Sequence, residues 1–450
     1  MSRRADVVVI GAGIAGISSA YELTVKHEIG NVVIVDPRPP MSLTSDKSTE
    51  CYRNWWPNLP MVGLMTRSID LLEKMASESG NSFALNRRGY LFATGDEGNF
   101  HRMVEDAHHT STLGAGSVRF HPGPIPYRAS PAEGFIGAPE GADILVGPDA
   151  VLDHFPYLTS EAVGAIHVRR AGWFSAQQLG AWMLDQSKHR GLEIVVDEVT
   201  GIEMAGGAIR SVSLANGGEI ATGVVVDAAG PMAGQVAALA GVDLPLFSEL
   251  HIKVAYRDHL GVVPRDAPMF IWSDTQRLDW SIEEREALAE QGRDDLLGEM
   301  PIFCHARPEG GAGSPYLLGL WEYHGLVQEP SWPLPEDPLY PEVVVRGLTT
   351  MVPGFDVYRE RLPQSVVDGG YYTKTRENRP LIGPAGPSGF NLLAGLSGFG
   401  VMVAAGAAEL LAKHVTGAEL PAYSDAFLLD RYDDAGYVAS IAGTMSSGQL

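Results

Sequence analysis

The chain opens with two short runs of consecutive apolar residues, separated by a segment with helical periodicity. Val7–Ile10 is apolar at every position, which is typical of a strand buried on both faces of a parallel sheet. Apolar side chains then recur at helical spacing over residues 14–27, and residues 31–35 form a second apolar run. The pattern therefore predicts a strand-helix-strand unit of about 30 residues at the start of the chain.

Further along, the pattern predicts short strands. Residues 199–203, 209–214 and 219–221 have strand character, and the turn sequence Asn-Gly-Gly at 216–218 joins the last two. Residues 224–230 form another buried strand that ends in small residues. The middle of the chain is therefore β-rich.

Strands of the buried type lie at both ends of the chain and in its middle, while the intervening segments alternate strands with polar loops. We therefore expect an α/β protein in which a discontinuous, Rossmann-like cofactor-binding domain carries an inserted antiparallel β-sheet substrate domain. The predicted division assigns 1–85, 150–245 and 366–450 to the cofactor-binding domain. It assigns 86–149 and 246–365 to the substrate-binding domain.

The turn after the first strand has the sequence Gly-Ala-Gly-Ile-Ala-Gly at residues 11–16. In this context Gly11 permits the tight turn, Gly13 lets the backbone approach a pyrophosphate, and Gly16 lets the helix pack against the strand. The free N–H groups at the helix start favour phosphate. Asp36 ends the second strand, where a carboxylate accepts hydrogen bonds from a ribose 2′-OH and disfavours a 2′-phosphate. The motif predicts a dinucleotide and leaves NAD and FAD both open.

Charge and cysteine content narrow the range of partners. The 450 residues carry a formal net charge of −22, and such an acidic surface repels nucleic-acid phosphates and anionic lipid headgroups. Cys51 and Cys304 are the only cysteines, so no disulfide framework or cysteine-rich metal site is possible. The adjacent His108 and His109 would diverge on a helix. We expect no metal, no nucleic-acid partner, no membrane partner and a cytoplasmic location.

Two segments near the C-terminus carry a family resemblance. Residues 372–383 read Y-T-K-T-R-E-N-R-P-L-I-G, and residues 393–400 read L-A-G-L-S-G-F-G. With the N-terminal unit, residues 89–92 and residues 224–230, they resemble the FAD-dependent amino-acid oxidase/dehydrogenase superfamily. That superfamily includes sarcosine oxidase, glycine oxidase and dimethylglycine dehydrogenase, and its patterns are Y-T-x-T-x-D-x-x-P-x-I-G and G-x-S-G-H-G. The resemblance implies FAD, with the isoalloxazine ring between the two domains.

The small residues at 395–400 suit this cofactor, because they place backbone N–H groups just before a helix, where negative charge on a reduced flavin is stabilised. A turn that merely lets helices pack closely is the alternative. The residues predicted to bind the cofactor are Gly11, Gly13, Ile14, Ala15, Gly16, Asp36, Pro37, Arg38, Ser48, Thr49, Cys51, Val199, Ala229, Gly230, Gly370, Gly395, Ser397, Gly398, Phe399, Gly400, Val401 and Met402.

The sequence departs from the family where some members attach FAD covalently. Gly370 or Tyr371 stands where the sarcosine-oxidase branch has its attachment Cys, so that linkage is absent. Cys51 stands where the dimethylglycine-dehydrogenase branch has its attachment His. The resemblance therefore implies either a thioether at Cys51 or a non-covalent flavin against which Cys51 packs.

A second departure concerns the substrate. Arg53 matches the family's Arg that binds the substrate carboxylate bidentately, but Met402 replaces the Lys that shares this role and Phe399 replaces a His. Either the substrate lacks an α-carboxylate or another residue supplies the second contact. In the family's oxidases a Lys over the flavin assists the reaction with oxygen. The matching strand here, residues 316–323, contains no Lys, which favours a dehydrogenase.

The strands of the predicted substrate domain carry further candidates. Alternate residues of such strands face the flavin in the family, so some of His305, Arg307 and Trp321 would line the pocket. Which face each residue occupies is not readable from the sequence. Arg53, Met402 and Trp321 are the candidate catalytic residues.

The leading hypothesis is an FAD-dependent oxidoreductase that oxidises a C–N bond of an amine or N-alkyl amino acid by hydride transfer to flavin. The substrate would be a small amine or amino acid, with an electron acceptor that the sequence does not identify. One alternative is a 2-hydroxy-acid dehydrogenase of the same fold, which oxidises a C–OH group. Another is a non-enzymatic flavoprotein that assists assembly of another complex.

Overall fold

The computed structural model describes residues 3–122, 127–311, 313–323, 327–335 and 337–443. In chain order, the strands are β1 Arg3–Arg4, β2 Val7–Ile10, β3 Val32–Val35, β4 Cys51–Arg53, β5 Tyr90–Thr94, β6 Val118–His121, β7 Ala142–Val146, β8 Gly164–Val168, β9 Ala171–Trp173, β10 Glu193–Val195, β11 Val199–Ala205, β12 Ala208–Leu214, β13 Glu219–Ala221, β14 Val225–Asp227, β15 Phe247–Arg257, β16 Met269–Trp272, β17 Cys304–Glu309, β18 Tyr316–Leu320, β19 Ser365–Lys374, β20 Leu381–Pro384 and β21 Phe390–Ala394. The α-helices are α1 Ile14–Tyr21, α2 Thr44–Lys47, α3 Leu59–Glu78, α4 Glu97–Thr110, α5 Pro148–His154, α6 Ala176–Lys188, α7 Ala233–Leu239, α8 Ile282–Glu290, α9 Tyr340–Met351, α10 Gly400–Thr416 and α11 Ala435–Ile441.

A six-stranded sheet unites the buried strands from the two ends and the middle of the chain. Its order is β10-β3-β2-β14-β21-β20, with five parallel strands and β20 antiparallel at one edge. Val7 and Val9 contribute to a core with α1, α3 and α10, whereas Val8 and Ile10 contribute to a core on the opposite face. Because both faces are covered, β2 has no polar position, and the predicted strand-helix-strand start is confirmed.

A smaller sheet covers the second face of this six-stranded sheet. Its order is β1-β13-β12-β11, and it contains the three short strands predicted from the middle of the chain. A two-stranded pair, β4 with β9, links the segment after β3 to the rest of the molecule.

A nine-stranded sheet forms the other half of the molecule, in the order β19-β15-β18-β17-β16-β5-β8-β7-β6. The expected antiparallel sheet needs correction, because β16 pairs with β5 and β6 pairs with β7 in parallel. The predicted division also placed β8 and most of β19 in the cofactor-binding part. Their pairing with β5, β7 and β15 places both strands in the nine-stranded sheet instead.

The two faces of the nine-stranded sheet have different partners. One face packs against α9 in a core that includes Ile252, Val254, Cys304 and Ala306. The alternate residues of the same strands face the other way, where Lys253 and Arg307 contact the loop that follows α2. This second face is called the inner face below.

The helix that follows the second resemblance segment, α10, packs in the core on one face of the six-stranded sheet. Over Ser397–Thr416 the chain is long and apolar enough to cross a membrane by length and composition. Nearly all of Val401–Ala412 is buried against other parts of the protein, where α10 packs on α1 and α3. A core helix passes the same test of length and composition.

Candidate cofactor and substrate site

A cleft with about 860 Å³ of empty space, counted out to the open solvent, lies at the carboxyl ends of β2, β3, β14 and β21. This is where ligands bind in open α/β sheets. The cleft is lined by Gly11, Ala12, Gly13, Ile14, Ala15, Asp36, Pro39, Met41, Ser42, Leu43, Thr44, Ser45, Ser48, Ala228, Ala229, Gly230, Pro231, Tyr371, Tyr372, Thr373, Leu393, Ala394, Gly395, Leu396, Ser397, Gly398, Gly400 and Val401.

The glycine turn forms one end of this cleft, and each glycine has a separate steric reason. Gly11 has φ of +108°, and a Cβ there would lie 2.4 Å from the Ala228 carbonyl oxygen. A Cβ on Gly16 would lie 1.9 Å from the Gly11 carbonyl oxygen, so Gly16 serves the packing of α1 on β2 rather than the lining. At Gly13 a Cβ would meet only the Ser45 hydroxyl, at 3.1 Å, on the cleft side.

Two side chains bind the free N–H groups of this turn. Asp36 Oδ2 accepts from the Ala12 N–H at 2.8 Å, while its Oδ1 accepts from the Arg38 N–H at 2.8 Å. Ser45 Oγ accepts from the Ile14 N–H at 2.9 Å, at the start of α1. Sequence reasoning missed Ser45 and the other lining residues of this segment before it, namely Pro39 and residues 41–44, although it predicted Ser48. The Ser/Thr-rich composition after Asp36 was the available signal, since hydroxyls and free N–H groups together suit phosphate.

The far end of the cleft is built from residues 395–401 and β19. Ser397 has φ of +50°, a left-handed conformation that is uncommon outside glycine, and its buried Oγ has no hydrogen-bond partner among the described residues. This hydroxyl and the N-terminus of α10 line the cleft together. Tyr371, Tyr372 and Thr373 of β19 form the opposing wall.

Nine residues predicted to bind the cofactor lie outside the lining. These are Gly16, Pro37, Arg38, Thr49, Cys51, Val199, Gly370, Phe399 and Met402. Val199 packs in the core beneath the four-stranded sheet. The Cys51 thiol donates to the Thr49 carbonyl oxygen at 3.2 Å and lies 3.7 Å from Met269 Sδ, on the inner face of the nine-stranded sheet.

Met402 and Phe399 belong to the apolar core beside the cleft. The Met402 carbonyl oxygen accepts from Ser68 Oγ at 2.6 Å, and the Met402 side chain is buried. The Phe399 ring meets Trp56 edge-on at 5.0 Å between centroids. Trp56 in turn lies under the Arg53 guanidinium, 4.8 Å from it.

Arg53 is a buried cation without an acidic partner. Its side chain lies between the Trp56 and Tyr90 rings, and its Nε donates to the Trp55 carbonyl oxygen at 3.1 Å. No carboxylate in the described part of the chain forms an ion pair with it, and burial lowers its pKa. Two aromatic faces offset part of the cost of burying the charge, and the rest is unmatched.

Trp321 lies on the side of the nine-stranded sheet that faces α9. It is 1 % exposed, its indole N–H donates to the Pro301 carbonyl oxygen at 3.0 Å, and its ring occupies the space beside Gly347. The structure therefore surrounds this candidate catalytic residue with the core on the far side from the cleft. His305 and Arg307, alternate residues of β17, lie on the inner face instead.

The inner face carries several ionisable groups. Lys253 Nζ donates to the Ser48 carbonyl oxygen at 2.6 Å, and Arg307 donates to the Thr49 carbonyl oxygen through Nε and Nη2 at 3.0 and 2.6 Å. Two cations thus bind consecutive carbonyls of the loop that reaches the cleft at Ser48. Burial lowers the pKa of Lys253.

A chain of paired charges lies behind Tyr372. The His251 ring stacks on Tyr372 at 4.1 Å, with Nδ1 3.1 Å from Glu322 and Nε2 3.1 Å from Glu249, which also binds Lys374. Burial alone would lower the pKa of His251, but the two carboxylates outweigh it and raise that pKa. The imidazole is therefore held as a cation between two carboxylates.

Fold and site together define a dinucleotide-binding protein of the Rossmann type with a mixed sheet over its cleft. A family model described as FAD dependent oxidoreductase matches residues 6–414, and the chain belongs to that family. No curated protein sequence matches the chain.

Several solved structures share the fold at low sequence identity. L-proline dehydrogenase from P. horikoshii has a TM-score of 0.73 and 20 % identity, over 96 % of this chain and 99 % of that one. Glycine oxidase from Bacillus cereus has a TM-score of 0.70 and 15 % identity, over 94 % and 98 %. L-α-glycerophosphate oxidase from Mycoplasma pneumoniae, solved with FAD bound, has a TM-score of 0.67 and 15 % identity, over 94 % and 98 %.

FAD is the cofactor, and the residues of the cleft fit it. The glycine turn, Asp36 and Ser45 present backbone N–H, carboxylate and hydroxyl groups for the pyrophosphate and ribose. The unpartnered Ser397 hydroxyl and the N-terminus of α10 lie at the end where the polar edge of a flavin would be held.

Proposed function

We propose that this protein oxidises the C–N bond of an amino acid or N-alkyl amino acid, with FAD as the hydride acceptor. The observation that carries the proposal is Arg53, a buried guanidinium with no acidic partner among the described residues. A buried cation of this kind suits a ligand carboxylate, because the two planar groups form parallel charge-assisted hydrogen bonds. Similar folds in proteins named proline dehydrogenase and glycine oxidase support the same substrate class.

The chain's own residues supply binding, orientation and exclusion of water. Arg53 binds the substrate carboxylate, while Trp56 and Tyr90 hold the guanidinium plane on both sides. Phe399 connects this wall to residues 395–401 of the cleft. A substrate anchored at Arg53 is therefore held beside the cofactor cleft, and fixed orientation of this kind contributes much of an enzyme's rate.

Oxidation of a C–OH group on the same fold is the competing reaction. The likeness to a glycerophosphate oxidase structure supports this alternative. Both reactions begin with an anion at Arg53. They differ in the atom beside the oxidised carbon. Neighbouring groups must accept a proton from nitrogen in the first reaction and from oxygen in the second.

Anaerobic mixing of the FAD-loaded protein with a substrate panel tests the proposal. We expect L-proline, sarcosine or glycine to bleach the flavin, pyrrolidine to bleach it poorly because it lacks a carboxylate, and L-lactate and glycerol 3-phosphate to leave it oxidised. Bleaching by the hydroxy compounds alone would reassign the reaction. A protein that no compound reduces would support a non-enzymatic flavoprotein.

A further inference from the structure

His305 has a ring orientation that a packing role does not require. On the inner face of the nine-stranded sheet, its Nδ1 lies 2.8 Å from the Phe303 carbonyl oxygen. A carbonyl only accepts, so Nδ1 carries the hydrogen and Nε2 holds the lone pair. Nε2 has no hydrogen-bond partner among the described residues, although His305 is buried and only 8 % exposed.

The backbone that orients this ring is itself unusual. Phe303 has φ of +69°, which is uncommon for a bulky residue and costs conformational energy. Its N–H donates to the Trp272 carbonyl oxygen at 2.8 Å, so the strained residue is held from both sides. Strain of this kind persists where the surrounding structure enforces a particular geometry, and here that geometry fixes the imidazole.

Burial favours the neutral form of His305. It lowers the pKa of the imidazole against the hydrogen bond to the Phe303 carbonyl and the Glu322 carboxylate, which both raise that pKa, and the cations Arg53 and Arg307 add to the lowering. Ile271 and Leu320 flank it on the neighbouring strands of the same face. His305 is thus a neutral hydrogen-bond acceptor, close enough to Arg53 for that guanidinium to affect its pKa.

We propose that His305 Nε2 accepts a hydrogen bond from the substrate nitrogen and takes its proton, while Arg53 holds the substrate carboxylate. This inference rests on the proposed function and narrows its substrate class to amino acids that keep an N–H, bound as the zwitterion. The proton step breaks one N–H bond of the substrate ammonium and forms one N–H bond on the imidazole. The amine nitrogen recovers its lone pair, which it needs before hydride can leave the neighbouring carbon.

Binding of two unreactive acids to the FAD-loaded protein tests the geometry without turnover. Pyrrole-2-carboxylate carries an N–H donor beside its carboxylate, and furan-2-carboxylate has an oxygen in the same place. Followed by the flavin spectrum, pyrrole-2-carboxylate should bind about tenfold more tightly, because only it can donate to Nε2. Equal affinities, or no binding of either acid, would overturn the inference.

Two substitutions separate hydrogen bonding from proton transfer. His305→Leu should abolish the difference between the acids, whereas His305→Gln, which keeps a carbonyl acceptor, should retain part of it. His109→Asn on the exposed side of α4 is the matched histidine control and should leave both affinities unchanged. A preference for pyrrole-2-carboxylate that survives His305→Leu would also contradict the assignment.

The pH dependence of kcat/KM with L-proline tests the proton step. In the wild type the profile should be flat from neutral pH upward, because His305 is already neutral there. In both His305 variants it should rise about tenfold per pH unit until the substrate amine itself loses its proton, with a loss of about 10²–10³-fold at neutral pH. A variant profile parallel to the wild type would exclude proton transfer to His305. If no amine is oxidised but the two acids are still distinguished, the proposed function fails and the binding geometry stands.

Discussion

The two walls that meet at the site are built differently. The cofactor cleft is lined mainly by backbone and small residues in the turns that end β2, β14 and β21. The inner face of the nine-stranded sheet instead presents long side chains, including His251, Lys253, His305 and Arg307. Backbone groups suit a cofactor that never changes, whereas side chains suit a substrate that differs among relatives. Substitutions in the first wall should affect cofactor retention and stability, and substitutions in the second should affect specificity.

The largest expected effect concerns the backbone-built wall. Gly16→Ala puts a methyl group 1.9 Å from the Gly11 carbonyl oxygen, so α1 must move away from β2. We expect about 3 kcal/mol of lost stability and a protein purified without flavin, measured by thermal unfolding and flavin content. Gly234→Ala in α7 is the matched control, since its new methyl group meets nothing within 4 Å and a helical alanine is slightly stabilising. Equal behaviour of the two variants would show that close packing at Gly16 is unimportant.

The next effect concerns the side-chain wall. Arg53→Met keeps an unbranched apolar side chain and removes the guanidinium charge, so KM for L-proline should rise about 10²-fold, the value of a strong charge-assisted pair. Flavin content should not change, because Arg53 is outside the cleft lining. Pyrrolidine, which has no carboxylate, is the control substrate. A similar loss with both substrates would assign Arg53 a structural role.

A buried acid in the cofactor half gives a pH-dependent effect. Glu22 is 4 % exposed, and burial raises its pKa from 4.5 to about 7. The folded state therefore favours the protonated form, and the contribution of Glu22 to stability should fall as the pH rises from about 4.5 to about 7. Glu22→Gln should be about 2 kcal/mol more stable above pH 7 and no more stable below pH 4.5. Chemical unfolding across this range measures the difference, with the exposed Glu105→Gln as control; a gain independent of pH would contradict the mechanism.

The smallest expected effect tests whether Cys51 is attached covalently to the flavin. The Cys51 thiol contacts Thr49 and Met269 and lies outside the cleft lining. After acid precipitation the yellow colour should stay in solution for both the wild type and Cys51→Ala. Colour that remains with the wild-type pellet and leaves with the variant would establish a thioether.

The sequence predicted the first wall better than the second. The glycine turn and Asp36 belong to one strand-helix-strand unit, so spacing alone was enough to place them around one ligand. Ser45 escaped notice, because an irregular segment gives no period from which to infer a direction. His305 and Trp321 differ in the face they occupy, and that depends on strand boundaries which short strands between loops do not reveal. The parallel pairing of β16 with β5 joins segments far apart in sequence and left no local signal.

The central position of β14 has a consequence for how the protein is made. This strand pairs with β2 on one side and with β21 on the other, so the sheet beneath the cofactor joins residues near both chain ends. Contacts of such long range raise the entropic cost of reaching the folding transition state and slow folding. During synthesis the glycine turn leaves the ribosome long before residues 390–401, and its cleft stays incomplete until those residues have also emerged. Flavin capture therefore waits for them, and the apolar strand β2 must stay protected from aggregation until then.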